Sequence, residues 1–305
     1  MIISGQAITL IMQIYSEDAI MSILTAIIQA ILQAVCVVFP ISESGHSSIF
    51  HDFAGRQAGS CSAITGVIHI GIAIGIVLAM LKFFVTMGRN FIGTFADMFS
   101  KKLKGSGKRP ARYFMYMSLI AFAPMIFWIV PTGKGLLYSL LHTTAYNSTL
   151  LDDGIMFCAL GALVIMSAKT LEIGRNSKSV NILSAIAAGL LSVLLVPVSG
   201  LSLVMGIYAV LLLFGVANKF ALRFAFLISA PVYVVVGIVE ICTAVTSAGW
   251  VEIILGLIIS VAVSFLSVRI FKWVINTGKL KYFAFYDISI GVIIAIIGIF
   301  ELALK

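Results

Sequence analysis

The stretch QAVCVVFPISESGH, residues Gln33 to His46, decides the fold of this chain. Apolar residues precede it from Ile23 and continue after it. Within it, Pro40 removes a helical hydrogen bond, and Glu43 and His46 bring two ionisable side chains into an apolar region. Hydrocarbon offers no hydrogen-bond partner to the backbone groups that are left free at Pro40, and it does not solvate a charge. The stretch must therefore be enclosed by protein or line a watery cavity.

The composition is that of a membrane protein. Of its 305 residues, 61% are hydrophobic and 10% are charged, whereas soluble domains carry roughly a quarter charged residues. The net charge of +8 lies in short connections between apolar segments, which is typical of cytoplasmic loops and gives no reason to expect a nucleic-acid partner. Four cysteines without metal-binding or redox spacing are expected to be buried apolar side chains. They are Cys36, Cys61, Cys158 and Cys242.

Six segments are long and apolar enough to cross a bilayer as helices. These predicted spans are 65–84, 113–130, 154–168, 224–245, 251–271 and 285–304. Two more apolar segments, 23–50 and 182–214, are each interrupted by a proline and small polar residues. We predict that each of these two broken segments forms a helical hairpin instead of a through-going helix.

The basic connections 85–112, 169–178 and 269–281 are expected in the cytoplasm. When the crossings are counted from these cytoplasmic connections, both ends of segment 23–50 fall on the outer side. Both ends of segment 182–214 fall on the cytoplasmic side. Both contain an apolar-apolar-Pro-apolar-Ser pattern, at 38–42 and 195–199. We therefore predict an all-α polytopic membrane protein, with about six transmembrane helices plus two re-entrant helical hairpins in an inverted-topology repeat.

The predicted membrane domain comprises residues 22–305, with a first repeat at about 22–170 and a second at about 180–305. Residues 1–21 are expected to be an N-terminal lead at the membrane interface. Either Met1 or Met21 would serve as the start of translation.

Ionisable residues within apolar segments are candidates for function. Glu43 and His46 lie on the first break together with Ser42, Ser44 and Gly45. A histidine close to a carboxylate suits a nucleophile, a general base or an anion clamp. The alternative is a buried, hydrogen-bonded pair that only stabilises the tip of the hairpin.

Further ionisable residues leave two interpretations open. His69 is either a hydrogen-bonded core residue or part of a site. Lys219 and Arg223, four residues apart, share a helix face; they either extend to the interface or bind an anionic lipid headgroup. Glu240 and Asp287 lie near the ends of predicted spans and are expected at the interface.

From about residue 22 to its C-terminus, the chain resembles the undecaprenyl-diphosphate phosphatases, the bacitracin-resistance family. Family members carry an (E/Q)-x-x-x-E pair followed by P-x-S-S-x-G-H. Five positions of this chain match those motifs: Gln33, Pro40, Ser42, Gly45 and His46. Glu43 stands where the second serine is usual, and Val37 stands where the second glutamate is usual.

Later family motifs are matched unevenly. The family's V-I-Q-L-G run resembles residues 67–71, with His69 at the glutamine position. Its P-G-x-S-R-S-x-x-T motif falls on residues 197–205, where Pro197 and Ser202 match and Gly200 and Leu201 replace the first serine and the arginine. Residues 283–286, Phe-Ala-Phe-Tyr, match the start of the family's last helix.

The resemblance implies a phosphatase of the bacterial plasma membrane that hydrolyses polyprenyl diphosphate to the monophosphate during lipid-carrier recycling in cell-wall synthesis. It implies catalytic roles for Ser42, Glu43, His46 and Ser202. It also implies a divalent cation, Mg²⁺ or Ca²⁺, with Glu43 as a ligand. Substrate-binding roles would fall to Gln33, Ser44, Gly45, His69 and Ser199.

Two other hypotheses remain. Because Val37, Gly200 and Leu201 replace expected catalytic residues, the chain is alternatively a non-catalytic paralogue that binds or translocates polyprenyl phosphate. A third hypothesis is a transporter for small ions or amino acids, with no lipid substrate.

Overall fold

The computed structural model describes residues 23–53, 63–99, 110–129, 149–174, 177–198, 200–244 and 248–304, and these are helical apart from short connections. The first half contains α1 (Ile23–Val38), α2 (Glu43–Phe53), α3 (Ala63–Ala79), α4 (Leu81–Phe99), α5 (Pro110–Phe122) with a 3-10 continuation (Ala123–Ile129), and α6 (Leu150–Ile173). The second half contains α7 (Ile182–Leu195), α8 (Leu203–Leu213), α9 (Asn218–Thr243), α10 (Trp250–Asn276) and α11 (Leu280–Leu304).

Among the described residues, five helices are long and apolar enough to cross a membrane. They are α5 together with part of its 3-10 continuation, α6, α9, α10 and α11. A sixth span is obtained when the bent pair α3 and α4 is taken as one. The predicted all-α polytopic membrane protein is thus confirmed, with five to six spans.

The span predicted at 65–84 differs from the structure. Helix α3 ends at Ala79, and α4 leaves it at an angle of 92°. Residues 85–99, predicted as part of a basic connection, are helical and belong to α4, and their cytoplasmic location stays a prediction. Its sequence places Lys82 and Arg89 among exposed apolar side chains such as Ile92 and Phe95. Such a mixture is typical of a helix that lies along a membrane surface.

Both interrupted segments form two short helices around a break, as predicted. α1 and α2 are separated at Pro40, and Gln33 on α1 donates a hydrogen bond to Ser47 on α2 (3.3 Å). α7 and α8 are separated by residues 196–202 and pack against each other. None of the four helices reaches the length of a membrane span. Entry and return of each pair on one side of the membrane stays a prediction.

Close helix packing relies on small residues. A Cβ atom at Gly66 of α3 would lie 2.5 Å from the carbonyl oxygen of Gly237 on α9, and one at Gly237 would lie 2.5 Å from the carbonyl oxygen of Gly66. Only glycine permits this approach of two backbones. Helix α3 therefore packs directly on α9, while α6 packs on α11. Each of these two contacts joins a helix of the first half of the chain to a helix of the second half. The inverted repeat itself stays a prediction.

Candidate functional site

His46 is held by hydrogen bonds at both ring nitrogens. Its Nδ1 lies 2.6 Å from the carbonyl oxygen of Ser42, and its Nε2 lies 2.7 Å from the hydroxyl of Tyr286. A carbonyl oxygen only accepts, so Nδ1 carries the proton and Nε2 accepts from Tyr286. The imidazole is also stacked on the Tyr286 ring and meets the edge of Phe157. The lone pair of Nε2 therefore points at a place where an O–H donor fits.

The protonation of His46 follows from its surroundings. Helix α2 has only 11 residues and does not span a membrane. Burial lowers the pKa of His46, while the hydrogen bond to the Ser42 carbonyl and the charge of Glu43 act in the opposite direction. Burial disfavours the charged imidazolium. A neutral His46 can accept a proton near neutral pH.

The turn at the first break depends on Ser42 and Gly45. The buried Ser42 hydroxyl accepts a hydrogen bond from the Gly45 amide at 3.0 Å, which caps the first turn of α2. A Cβ atom at Gly45 would collide with the ring of Phe157 on α6. Ser42 therefore shapes the turn and orients His46, and Gly45 lets the turn approach α6. The side chain of Ser44 lies outside the described residues.

His69 lies between two carboxylates. Its Nδ1 is 2.5 Å from Glu240 on α9, and its Nε2 is 3.7 Å from Glu43 on α2. All but Glu43 are buried, and the ring of Tyr233 stacks on the imidazole. His69 is thus a hydrogen-bonded core residue that also faces Glu43, and its part in a site stays a prediction. The arrangement joins the consecutive helices α2 and α3 to α9 in the second half of the chain.

Gln33 and Ser47 continue this cluster on its other side. The buried Gln33 amide donates to the Ser47 hydroxyl at 3.3 Å, and Ser47 donates to Glu43 at 3.4 Å. Val37, one turn after Gln33, is buried and adds no polar atom. Ser47 and His69 therefore lie at different oxygens of the Glu43 carboxylate. Ser47 was not predicted as a site residue, although it lies one helical turn after Glu43, a spacing at which helical side chains meet.

The second break approaches the same region of α6. A Cβ atom at Gly200 would collide with Met156, next to the Phe157 that contacts the first break. Ser202 is buried, and its hydroxyl caps α8 by accepting from the Met205 amide at 3.3 Å. Ser199 lies outside the described residues. That Glu43, His46 and Ser202 line one cavity stays a prediction.

Tyr286, Glu240 and Asp287 were not predicted as site residues. Glu240 and Asp287 were expected at the interface, but they are 3% and 0% exposed, so that expectation was wrong. Both Asp287 carboxylate oxygens are buried without a hydrogen-bond partner among the described residues. The sequence signal for Glu240 and Asp287 was a carboxylate within an apolar helix, because such a side chain normally faces the protein interior.

The described residues contain no group of three His, Cys, Asp or Glu side chains placed to hold a metal ion. Glu43 faces His69, and the other nitrogen of His69 is taken by Glu240. A hard cation such as Mg²⁺ prefers several oxygen ligands around one point. These side chains alone do not supply that arrangement.

Comparisons with known proteins agree with one another. The family model of bacitracin resistance protein BacA matches residues 26–293. The chain is 26% identical to an undecaprenyl-diphosphatase of Halothermothrix orenii over 286 residues, covering 92% of this chain and 100% of that protein. It is 26% identical to an undecaprenyl-diphosphatase of Methanosphaera stadtmanae over 287 residues, covering 92% and 99%. For one of Alkaliphilus metalliredigens, identity is 27% over 289 residues, covering 92% and 100%.

Proposed function

Since the chain belongs to the bacitracin resistance protein BacA family, we propose that it is a polyprenyl-diphosphate phosphatase of the bacterial plasma membrane. The relatives named undecaprenyl-diphosphatase support this substrate class. The proposed reaction converts a polyprenyl diphosphate and water into the monophosphate and inorganic phosphate. In the cell it would recycle the lipid carrier of cell-wall synthesis.

The observation that carries this proposal is the orientation of His46. The Ser42 carbonyl fixes the proton on Nδ1, and the Tyr286 hydroxyl marks the donor position in front of Nε2. A histidine oriented through one nitrogen and basic at the other is suited to general-base catalysis. When substrate is bound, a water molecule would replace the Tyr286 hydroxyl at Nε2.

In the proposed step, the oxygen of this water attacks the terminal phosphorus and transfers a proton to Nε2 of His46. The bond between the terminal phosphorus and the bridging oxygen breaks, and that oxygen leaves on the polyprenyl monophosphate. Ser47 accepts a hydrogen bond from Gln33 and donates one to Glu43 in the structure, and in the proposed step it would hold Glu43 beside the reacting group. Ser202, whose hydroxyl caps α8 in the structure, would assist the reaction from the second break.

A divalent cation, Mg²⁺ or Ca²⁺, is part of the proposal. It would neutralise phosphate charge, and Glu43 is the side chain proposed to meet it. No step above depends on the cation, because the described side chains do not form a complete site for one. Chelation therefore provides a separate test of this element.

The second candidate function is binding or translocation of polyprenyl phosphate without hydrolysis. Two apolar residues favour it, because buried Val37 and partly buried Leu201 supply neither a carboxylate nor a guanidinium. Loss of a phosphate-clamping arginine costs roughly three to five orders of magnitude in other phosphoryl-transfer enzymes. A protein that retains the scaffold but lacks this charge would still bind its lipid.

Purified protein supplied with undecaprenyl diphosphate or farnesyl diphosphate distinguishes the two candidates. Phosphate release should occur with Mg²⁺ or Ca²⁺, fall with chelator, and disappear in His46→Ala. Retained lipid binding by His46→Ala would show that the variant is folded. No release from the native protein, together with lipid binding, would overturn the phosphatase and support the binding protein.

A further inference from the structure

Three cations lie where α9 begins and α10 ends. Arg223 lies in the second turn of α9, and Arg269 and Lys272 lie in the last two turns of α10. Arg269 and Lys272 are three residues apart and share a face of that helix. The two helices meet at this level, because the rings of Phe226, three residues after Arg223, and Phe271, next to Lys272, lie 6.4 Å apart. Arg223, Arg269 and Lys272 are called the three-cation cluster below.

No described carboxylate balances the charge of the three-cation cluster. In the part of the chain that the structure describes, carboxylates pair with His69 and with Arg112, and none lies within 4.0 Å of a cluster nitrogen. Arg223 and Lys272 are half-buried, so water screens their repulsion less than on an open surface. Like charges held together in this way are stabilised by an anion that binds among them.

Aromatic rings orient both guanidinium groups. The Cζ atom of Arg223 lies 5.6 Å from the centre of the Phe83 ring, and that of Arg269 lies 4.4 Å from the centre of the Phe265 ring. Each ring covers a face of its guanidinium and leaves the N–H groups at the edge available. Two oriented guanidinium groups and an ammonium match the several oxygens of a phosphate group.

The surroundings favour a lipid over a soluble anion. The cluster lies at the ends of two membrane-spanning helices, beside the start of α4. Leu266 and Ile270, neighbours of Arg269 on α10, are large exposed apolar side chains. Acyl chains can cover them while a headgroup reaches the cations. We propose that the three-cation cluster binds the phosphate of an anionic phospholipid headgroup at the membrane surface.

The proposal is independent of phosphatase activity and is tested by lipid binding. Detergent-solubilised protein is titrated with phosphatidylglycerol and examined by native mass spectrometry, with phosphatidylcholine and inorganic phosphate as separate probes. The native protein should retain one phosphatidylglycerol in preference to phosphatidylcholine. Changing Arg223, Arg269 and Lys272 together to Gln should weaken binding about tenfold or more, since charge-assisted hydrogen bonds are lost.

The matched control removes the same charge from exposed lysines, by changing Lys169, Lys279 and Lys281 to Gln. Its phosphatidylglycerol affinity should stay within about twofold of native, because exposed charges are screened. An equal loss in the control, or native affinity in the cluster variant, would overturn the site. Inorganic phosphate competing at the same concentration as the lipid would overturn the lipid assignment. If the triple variant does not fold, Lys272→Gln alone must weaken binding about threefold.

Discussion

The Nδ1 atom of His69 lies 2.5 Å from a carboxylate oxygen of Glu240, a residue 171 positions further along the chain. The pair fixes α3 against α9, where Gly66 and Gly237 also bring the two backbones together. On its other side His69 faces Glu43 at 3.7 Å. The tip of the first broken segment is thereby connected to the second half of the molecule through buried polar groups.

Removing either partner of the buried pair should destabilise the protein. His69→Leu removes the hydrogen-bond partner that Glu240 has in this pair, and Glu240→Leu leaves His69 facing Glu43 alone at 3.7 Å. Removing one partner of a buried pair costs about 3–5 kcal/mol. The double variant should lose less than the sum of the two, because neither polar group remains. Chemical unfolding in detergent measures all three. Glu172→Gln, on an exposed position of α6, should change the free energy of unfolding by less than about 0.5 kcal/mol. Additive losses would show that the pair is not coupled.

Tyr286 and His46 should differ in their effect on phosphate release. His46→Gln removes the proton acceptor and should abolish release, whereas Tyr286→Phe removes only the hydroxyl that occupies Nε2. Tyr286→Phe should therefore be no slower than the native protein, because water no longer competes with that hydroxyl. The control is Tyr282→Phe, an exposed ring one turn earlier on α11. Equal loss in Tyr286→Phe and His46→Gln would mean that Tyr286 takes part in the reaction.

The acid limb of the pH profile should report on His46. Only its neutral form accepts a proton, so kcat/KM is retained above its pKa and lost as the pH falls through it. Burial lowers that pKa, which places the midpoint below the ordinary value of about 6.5. Opening the site with Phe157→Ala should move the midpoint upwards. Phe127→Ala, which truncates an exposed ring, should leave it unchanged, and a native midpoint above 6.5 would contradict the assignment.

Gly45 should tolerate no side chain. The Cβ atom of Gly45→Ala would collide with the buried Phe157 ring, so we expect a loss of about 1–3 kcal/mol in stability. Displacing His46 should also slow phosphate release by about a hundredfold. Gly88→Ala is the matched control, since a Cβ atom there meets open space. Phe157→Leu should partly restore Gly45→Ala; failure to do so would indicate a different origin of the defect.

Local sequence was sufficient for the broken segments. Pro40 and the polar residues after it interrupt an apolar segment, and the structure has its break at that place. The pattern shared by the two segments was less accurate. It equates Ser42 with Ser199, but the serine that caps the helix after the second break is Ser202, three residues later. The connection between α7 and α8 is longer than the one between α1 and α2. A short sequence motif does not predict the length of the connection.

The rest of the site depends on contacts between distant residues. No spacing near His69 indicates that Glu240 will be its partner, because the contact arises from packing of α3 on α9. Tyr286 belongs to a matched Phe-Ala-Phe-Tyr segment, but its hydrogen bond to His46 crosses 240 positions. Helix α4, in contrast, could have been predicted from its own sequence, because Lys82 and Arg89 alternate with apolar residues as in an amphipathic helix.

The right-angle turn after Ala79 has a geometric consequence for the bilayer. Helix α4 has 19 residues, which corresponds to a length of roughly 28 Å. Because the axes of α3 and α4 are nearly perpendicular, the two helices cannot both run along the bilayer normal. The pair therefore covers less of the membrane thickness than one straight helix of the same number of residues would.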